Sequence, residues 1–137
     1  AARQERYGAM LVQAGVDYIV GSHPHVLQPY EPLRYRDTVT PYIYSMGNFT
    51  SSMLGSATKE TLILSLTLER DESGEVALAE QTYYPCYMLE EYEKEPFVLI
   101  PEDKDCNGNL YENAPKALVN QLKGYFKHIR KIVGKLD

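Results

Sequence analysis

The sequence predicts a mixed α/β domain with β-hairpins and a long C-terminal helix, and three stretches carry that prediction. The first is a helical pattern that stops at Gly15 and runs straight into the apolar segment Val16-Asp17-Tyr18-Ile19-Val20, which together make half of an α/β unit. The second is the alternation of Leu62, Leu64, Leu66 and Leu68 with Ile63, Ser65, Thr67 and Glu69, the two-residue period of a strand with one apolar face. The third is an amphipathic pattern of helical period over 114–136. A chain of 137 residues suits one domain with a modest core. Hydrophobic residues at 44% against 24% charged place it among globular rather than disordered chains.

Taken in order, residues 2–14 form the first helix, with Tyr7, Met10, Leu11 and Ala14 as its apolar stripe and Gly15 as its stop. Residues 16–21 follow as a short buried strand. Residues 26–36 and 39–46 read as a strand pair joined at Arg36-Asp37-Thr38. Pro41 puts the start of the second run at a sheet edge or at the beginning of a strand. That run ends at Gly47-Asn48-Phe49, and Ser51, Ser52, Gly55 and Ser56 make a loop. Residues 60–70 and 75–85 form the clearest hairpin, turning at Asp71-Glu72-Ser73-Gly74. Residues 87–95, acidic and rich in tyrosine, read as an irregular link, and Phe97-Val98-Leu99-Ile100 as one more short strand.

In the last helix Leu118, Leu122, Tyr125, Phe126, Ile129, Ile132, Val133 and Leu136 share one stripe, with Asn113 as N-cap and Pro115 in the first turn. Lys116, Lys123, Lys127, Arg130, Lys131 and Lys135 occupy the other face, and His128 is assigned to it. Such a face either contacts an anionic membrane or polymer or is a solvated outer surface.

Function is concentrated in Gly21-Ser22-His23-Pro24-His25-Val26-Leu27-Gln28-Pro29. Two imidazoles two residues apart follow an apolar strand, and in α/β sheets ligands gather at strand ends. Imidazole is the commonest side-chain ligand for transition metals. In an extended His-x-His the rings at i and i+2 point to one face, and Pro24 biases His23 toward that geometry. His23 and His25 are therefore candidate metal ligands and catalytic residues. The same pair could instead hydrogen-bond backbone carbonyls or cap a turn. A zinc site needs three protein ligands, and the one other histidine is His128. Asn48 is a further candidate, as a metal or phosphate ligand or as a turn stabiliser. Gln28 and Glu31 are either supports for such a site or ordinary strand residues. Ser22 and Ser45 lack a base that would support serine nucleophile chemistry.

The segment Gly15–Pro29, with Tyr44-Ser45-Met46-Gly47-Asn48-Phe49 behind it, resembles the two signature segments of bacterial capsule-synthesis proteins of the CapA and poly-γ-glutamate biosynthesis type. The resemblance covers about residues 1–85. It implies kinship with calcineurin-like metallophosphoesterases, hence a β-sandwich flanked by helices with a metal site at the sheet ends. It also implies that His23 and His25 match a late Gly-His-x-His motif, with Ser22 standing between Gly21 and His23. Divalent metal ions are the implied cofactor, and a two-metal centre would activate water against a phosphoryl group.

The Asp, Asn and further His ligands of that family belong to earlier motifs, so the chain is expected to be the C-terminal half of a domain, inactive by itself. Its expected partners are the preceding half or a second copy, and a phosphate-containing substrate or anionic polymer. The resemblance further implies a place outside the cytoplasmic membrane, on an anchor that precedes this chain. A non-catalytic scaffold or polymer-binding subunit of the same system is the alternative, with the twelve tyrosines and the basic helix as contacts.

A net charge of −5 argues against a general nucleic-acid binder, and no apolar run is long enough to span a membrane. Cys86 and Cys106 are either one bridge or two separate thiols. Asp103, Asp105, Asn107 and Gly108 have the spacing of an EF-hand calcium loop, but Ala114 stands where the closing bidentate Glu belongs. A polar turn is the other reading of that segment.

Overall fold

The computed structural model describes residues 2–102 and 114–136 and shows a mixed α/β arrangement. Helix α1 (Ala2–Gln13) ends as expected, with Gly15 at φ +88° and its N–H on the Val12 carbonyl. Its buried face is not the expected one. Gly8 and Val12 are buried, whereas Tyr7 and Met10 are more than half exposed and Leu11 is exposed at 43%. The cause is the close approach made through Gly8, where a Cβ would stand 2.7 Å from Leu33 Cδ1 and 2.9 Å from Tyr42 Cε1. The helix docks through its smallest residue, and the large apolar side chains are left on the flank.

Strand β1 (Ile19–Val20) is shorter than expected and pairs in parallel with β5 (Tyr42–Met46); β2 (Leu27–Tyr30) pairs antiparallel on the other side of β5. The expected pairing of 26–36 with 39–46 is present as two separate ladders. Leu27, Gln28 and Tyr30 face Met46, Ser45 and Ile43, and β3 (Leu33–Tyr35) forms its own hairpin with β4 (Thr38–Thr40). Pro32 and Pro41 interrupt the run because proline cannot donate to a ladder. Pro41 stands just ahead of β5, its carbonyl accepting the Ile19 N–H at 2.9 Å.

The second sheet, β6-β7-β8, is antiparallel throughout. Strands β6 (Glu60–Arg70) and β7 (Val76–Tyr92) meet at the expected turn. There the Asp71 carboxylate accepts the Ser73 hydroxyl and the Glu75 N–H, and Gly74 takes φ +90°. Residues 87–95 are not an irregular link. Strand β7 continues to Tyr92, and β8 (Glu95–Pro101) returns along it with Met88 facing Leu99. The reversal uses Glu93 and Lys94, both at positive φ (50° and 72°), a geometry that two-residue hairpins usually assign to Asn-Gly or Asp-Gly.

Helix α2 (Lys116–Val133) buries Leu122, Phe126, Ile129 and Val133. They form one core with Leu27, Tyr30 and Ile43 of the first sheet and Leu62, Tyr87 and Ile100 of the second. The expected stripe is thus the seam that holds both sheets. A smaller cluster of Val12, Ile19, Tyr42 and Tyr44 lies under α1. Pro115 immediately precedes α2 with no side-chain cap; Asn113 lies outside the described residues, as do Cys106 and the calcium candidates Asp103, Asp105 and Asn107. Cys86 is a fully buried free thiol, and burial pushes its pKa up to about 11.

Candidate metal-ligand site at the carboxyl edge of the parallel strands

Because β1 and β5 run parallel, the loops that follow them leave the sheet at the same edge, where α/β sheets place their ligands. One loop carries Ser22–Val26 and the other opens with Gly47-Asn48. Two glycines let them converge. A Cβ on Gly21 would fall 2.1 Å from the Tyr44 carbonyl oxygen, and the Gly21 N–H bonds Ile43 O at 2.7 Å. Gly47 takes φ +73°, and a Cβ there would fall 2.4 Å from Glu60 O.

The His-Pro-His segment is a bend, not the extended stretch expected. His23 has φ +101° and His25 φ +60°. The cause is topological: β1 and β2 flank β5 and run in opposite directions, so the chain must reverse within residues 21–26. That demand overrides the extended bias of a residue before proline. Two non-glycine departures of this kind, on either side of Pro24, cost about 1–3 kcal/mol each.

Within the bend His25 Nδ1 lies 2.6 Å from Asn48 Oδ1. Asn48 is buried, and its Nδ2 donates to Thr58 O at 3.1 Å, with Met53 Sδ at 3.7 Å. The Thr58 carbonyl can only accept, which fixes the amide with Oδ1 toward the imidazole. His25 must then carry its proton on Nδ1, leaving the Nε2 lone pair free. Asn48 therefore positions His25, and its oxygen is occupied in doing so. Both histidines are exposed, and His23 makes no side-chain hydrogen bond among the described residues. No group of three or more His, Cys, Asp or Glu able to hold a metal occurs among the described residues.

The remaining candidates are dispersed. Ser45 is fully buried and accepts the Gly47 N–H at 3.2 Å, a turn-stabilising role. Gln28 accepts from Gln4 Nε2 at 2.6 Å, and Gln28 and Glu31 line a separate cavity of about 220 Å³ with Gln4 and Tyr44. His128 is more than half exposed, as expected of the solvated face of α2, and its Nδ1 also lies 2.8 and 3.0 Å from the two carboxylate oxygens of Glu60. Glu60 is 4% exposed. The available signal was that His128 lies three residues after Tyr125, on the border of the apolar stripe; nothing in the sequence marks Glu60 as buried.

Residues 1–53, which hold both loop motifs, match the family model described as bacterial capsule synthesis protein PGA_cap. Over 72 residues, 53% of this chain, the sequence is 36% identical to the PGA biosynthesis protein CapA of Bacillus subtilis (strain 168), of which this is 18%. Over 62 residues it is 39% identical to the capsule biosynthesis protein CapA of Bacillus anthracis, covering 45% of this chain and 14% of that protein. No solved structure matches. Residues 1–53 are thus similar to a segment of bacterial capsule-synthesis proteins. The chain is similar to CapA-type capsule-synthesis proteins over its first part, and its matches span less than a fifth of the relatives' length.

Proposed function

We propose that this chain is part of a metallophosphoesterase-like domain serving capsule or poly-γ-glutamate synthesis, in which His23 and His25 contribute to a divalent metal site. The observation that carries the reading is the 2.6 Å contact between His25 Nδ1 and Asn48 Oδ1 at the shared carboxyl edge of β1 and β5. A metal-binding imidazole characteristically has its other ring nitrogen held by a hydrogen-bond acceptor, and His25 is held in that way. His23 supplies a second imidazole from the same bend. Two imidazoles fall short of the three protein ligands a site needs, so the described residues do not hold a metal by themselves. In this reading the other ligands come from a segment outside this chain or from a second copy. Tyr7, Met10 and Leu11 of α1 and Val20 of β1, all exposed, support such a partner.

Once bound, the metal would polarise a phosphoryl oxygen and acidify a bound water; the substrate class is a phosphate-containing molecule or an anionic polymer. The β-sandwich of that superfamily and a membrane-anchored place outside the cytoplasm belong to the same proposal. Among the described residues no helix is long and apolar enough to cross a membrane. The second reading, a scaffold without chemistry, is favoured by the absence of a three-ligand group among the described residues. Metal analysis of the full-length protein separates the two. His23→Ala and His25→Ala should each lower bound metal at least tenfold, and unchanged content in both variants would leave the scaffold.

A further inference from the structure

The Glu60–His128 pair opens onto a cavity that the capsule reading does not use. About 400 Å³ of space lies between the 3₁₀ turn Ser56–Thr58, the start of β6 and one flank of α2, lined by Ser56, Ala57, Glu60, Gly124, Tyr125 and His128. This is within the size range of small-molecule sites. Its polar centre is the Glu60 carboxylate, which is almost wholly withdrawn from water. An ionised carboxylate offers about four lone-pair positions, yet the one side-chain donor reaching it among the described residues is the Nδ1–H of His128, shared between both oxygens. A buried carboxylate so sparsely satisfied is costly, and further donors would be bound at a premium.

Two features of the wall fit a ligand better than they fit packing. Gly124 stands in the interior of α2, where glycine costs about 1 kcal/mol relative to alanine. No packing reason offsets that cost: a Cβ at Gly124 would meet no described atom within 4 Å. The residue that costs a helix most after proline thus stands, exposed, on the lining of the cavity. Next to it the Tyr125 ring lies flat on Tyr87, with centroids 3.9 Å apart and planes 4° apart. That gives a rigid aromatic wall close to a negative charge, a combination that favours cations. A second cavity of about 400 Å³ shares Ser56, Gln121 and Tyr125 with the first and continues past Leu118 and Leu89 to the Lys59–Glu90 ion pair, so a short apolar tail has room along the helix.

From the buried carboxylate, the unfilled helix position and the aromatic wall, we infer that this cavity is a binding site for an organic ammonium ion bearing an apolar tail. The ammonium N–H groups bond Glu60, Tyr125 flanks the charge, and the open space over Gly124 admits the chain. The site is independent of the His23–His25 edge, and its failure would leave the metal proposal untouched.

The test uses n-butylammonium as probe, with butyrate and n-butanol as controls of the same length, followed by amide chemical shifts of the full-length protein. Saturable shifts at Gly124 and Tyr125 are expected with n-butylammonium, with at least tenfold weaker binding of either control. Glu60→Gln should weaken binding at least tenfold. Gly124→Leu should abolish it while leaving the thermal midpoint equal or higher, because the new side chain fills open space and favours the helix. That opposition between stability and binding is not expected of a purely structural glycine. The absence of saturable shifts, equal binding of butyrate or n-butanol, or undiminished binding by Gly124→Leu would each overturn the proposal.

Discussion

Asn48 is held on two sides, by His25 through its oxygen and by the Thr58 carbonyl through its nitrogen, and it is buried. Removing the amide takes the donor from the half-buried Thr58 carbonyl and the acceptor from the His25 ring, hydrogen bonds typically worth about 0.5–1.5 kcal/mol each. Asn48→Ala should therefore lower the urea unfolding free energy by the sum of the two. It should also shift the His25 tautomer: nitrogen shifts that report a proton on Nδ1 in the parent should report a mixture in the variant. An unchanged tautomer would mean that Asn48 does not set the protonation of the ring. Gly21 makes the complementary case. Any side chain there meets the backbone of β5, the Tyr44 carbonyl at 2.1 Å, and backbone cannot rotate away. Gly21→Ala should cost about 3 kcal/mol or more, read as a fall in denaturant midpoint, and a loss under 1 kcal/mol would show that the two strands can separate there. His23, His25 and Asn48 were all legible as candidates in the sequence. Their relation was not. That His25 meets Asn48 depends on β1 lying parallel to β5 and on the reversal that bends the His-Pro-His segment, and neither is a local property of the residues.

At the level of elements, the parts set by period were legible and the parts set by contact were not. The stripe of α2 and the leucine alternation of β6 follow from spacing alone, and both bury where expected near the core, although Leu68 at the far end of β6 is 61% exposed because the hairpin outruns α2. Helix α1 misled because the decisive residue, Gly8, has no side chain to register in an apolar pattern. The β7–β8 hairpin was invisible for a different reason: Glu93-Lys94 carries none of the turn chemistry that its backbone requires. Both residues sit at positive φ without glycine's freedom, at a cost of about 1–2 kcal/mol per residue. Lys94→Gly, at φ 72°, should recover part of this and raise stability by up to about 1 kcal/mol. Equilibrium unfolding in urea would measure it, and a destabilised variant would show that the lysine side chain contributes something the turn geometry does not account for.

Across the molecule, burial favours the neutral form of one thiol and five phenols. Burial pushes the Cys86 thiol up to about 11, and burial, reinforced by Tyr30, pushes the Tyr18 phenol up to about 12. Burial likewise raises Tyr42, Tyr44, Tyr83 and Tyr87, the last with the Tyr125 hydroxyl as a further cause. Burial is the largest cause in every case, so the sign is the same throughout. Each is raised in the folded state, so each contributes stability that is complete below its unfolded pKa and is lost as pH rises through its folded value. For Cys86 that window runs from about 9 to about 11, and for Tyr18 from about 10 to about 12. The protein should therefore keep constant stability from pH 7 to 9 with respect to these groups and then weaken in two overlapping stages. Cys86 is expected to account for about 1–2 kcal/mol of the first. In Cys86→Ala the neutral-pH plateau should drop because a small cavity is left in the core, while the decline between pH 9 and 10 should flatten. Urea midpoints measured every half unit from pH 7 to 12 would resolve the two effects. A decline of the same slope and onset in both proteins would remove Cys86 as its source and assign the alkaline loss to the tyrosines alone.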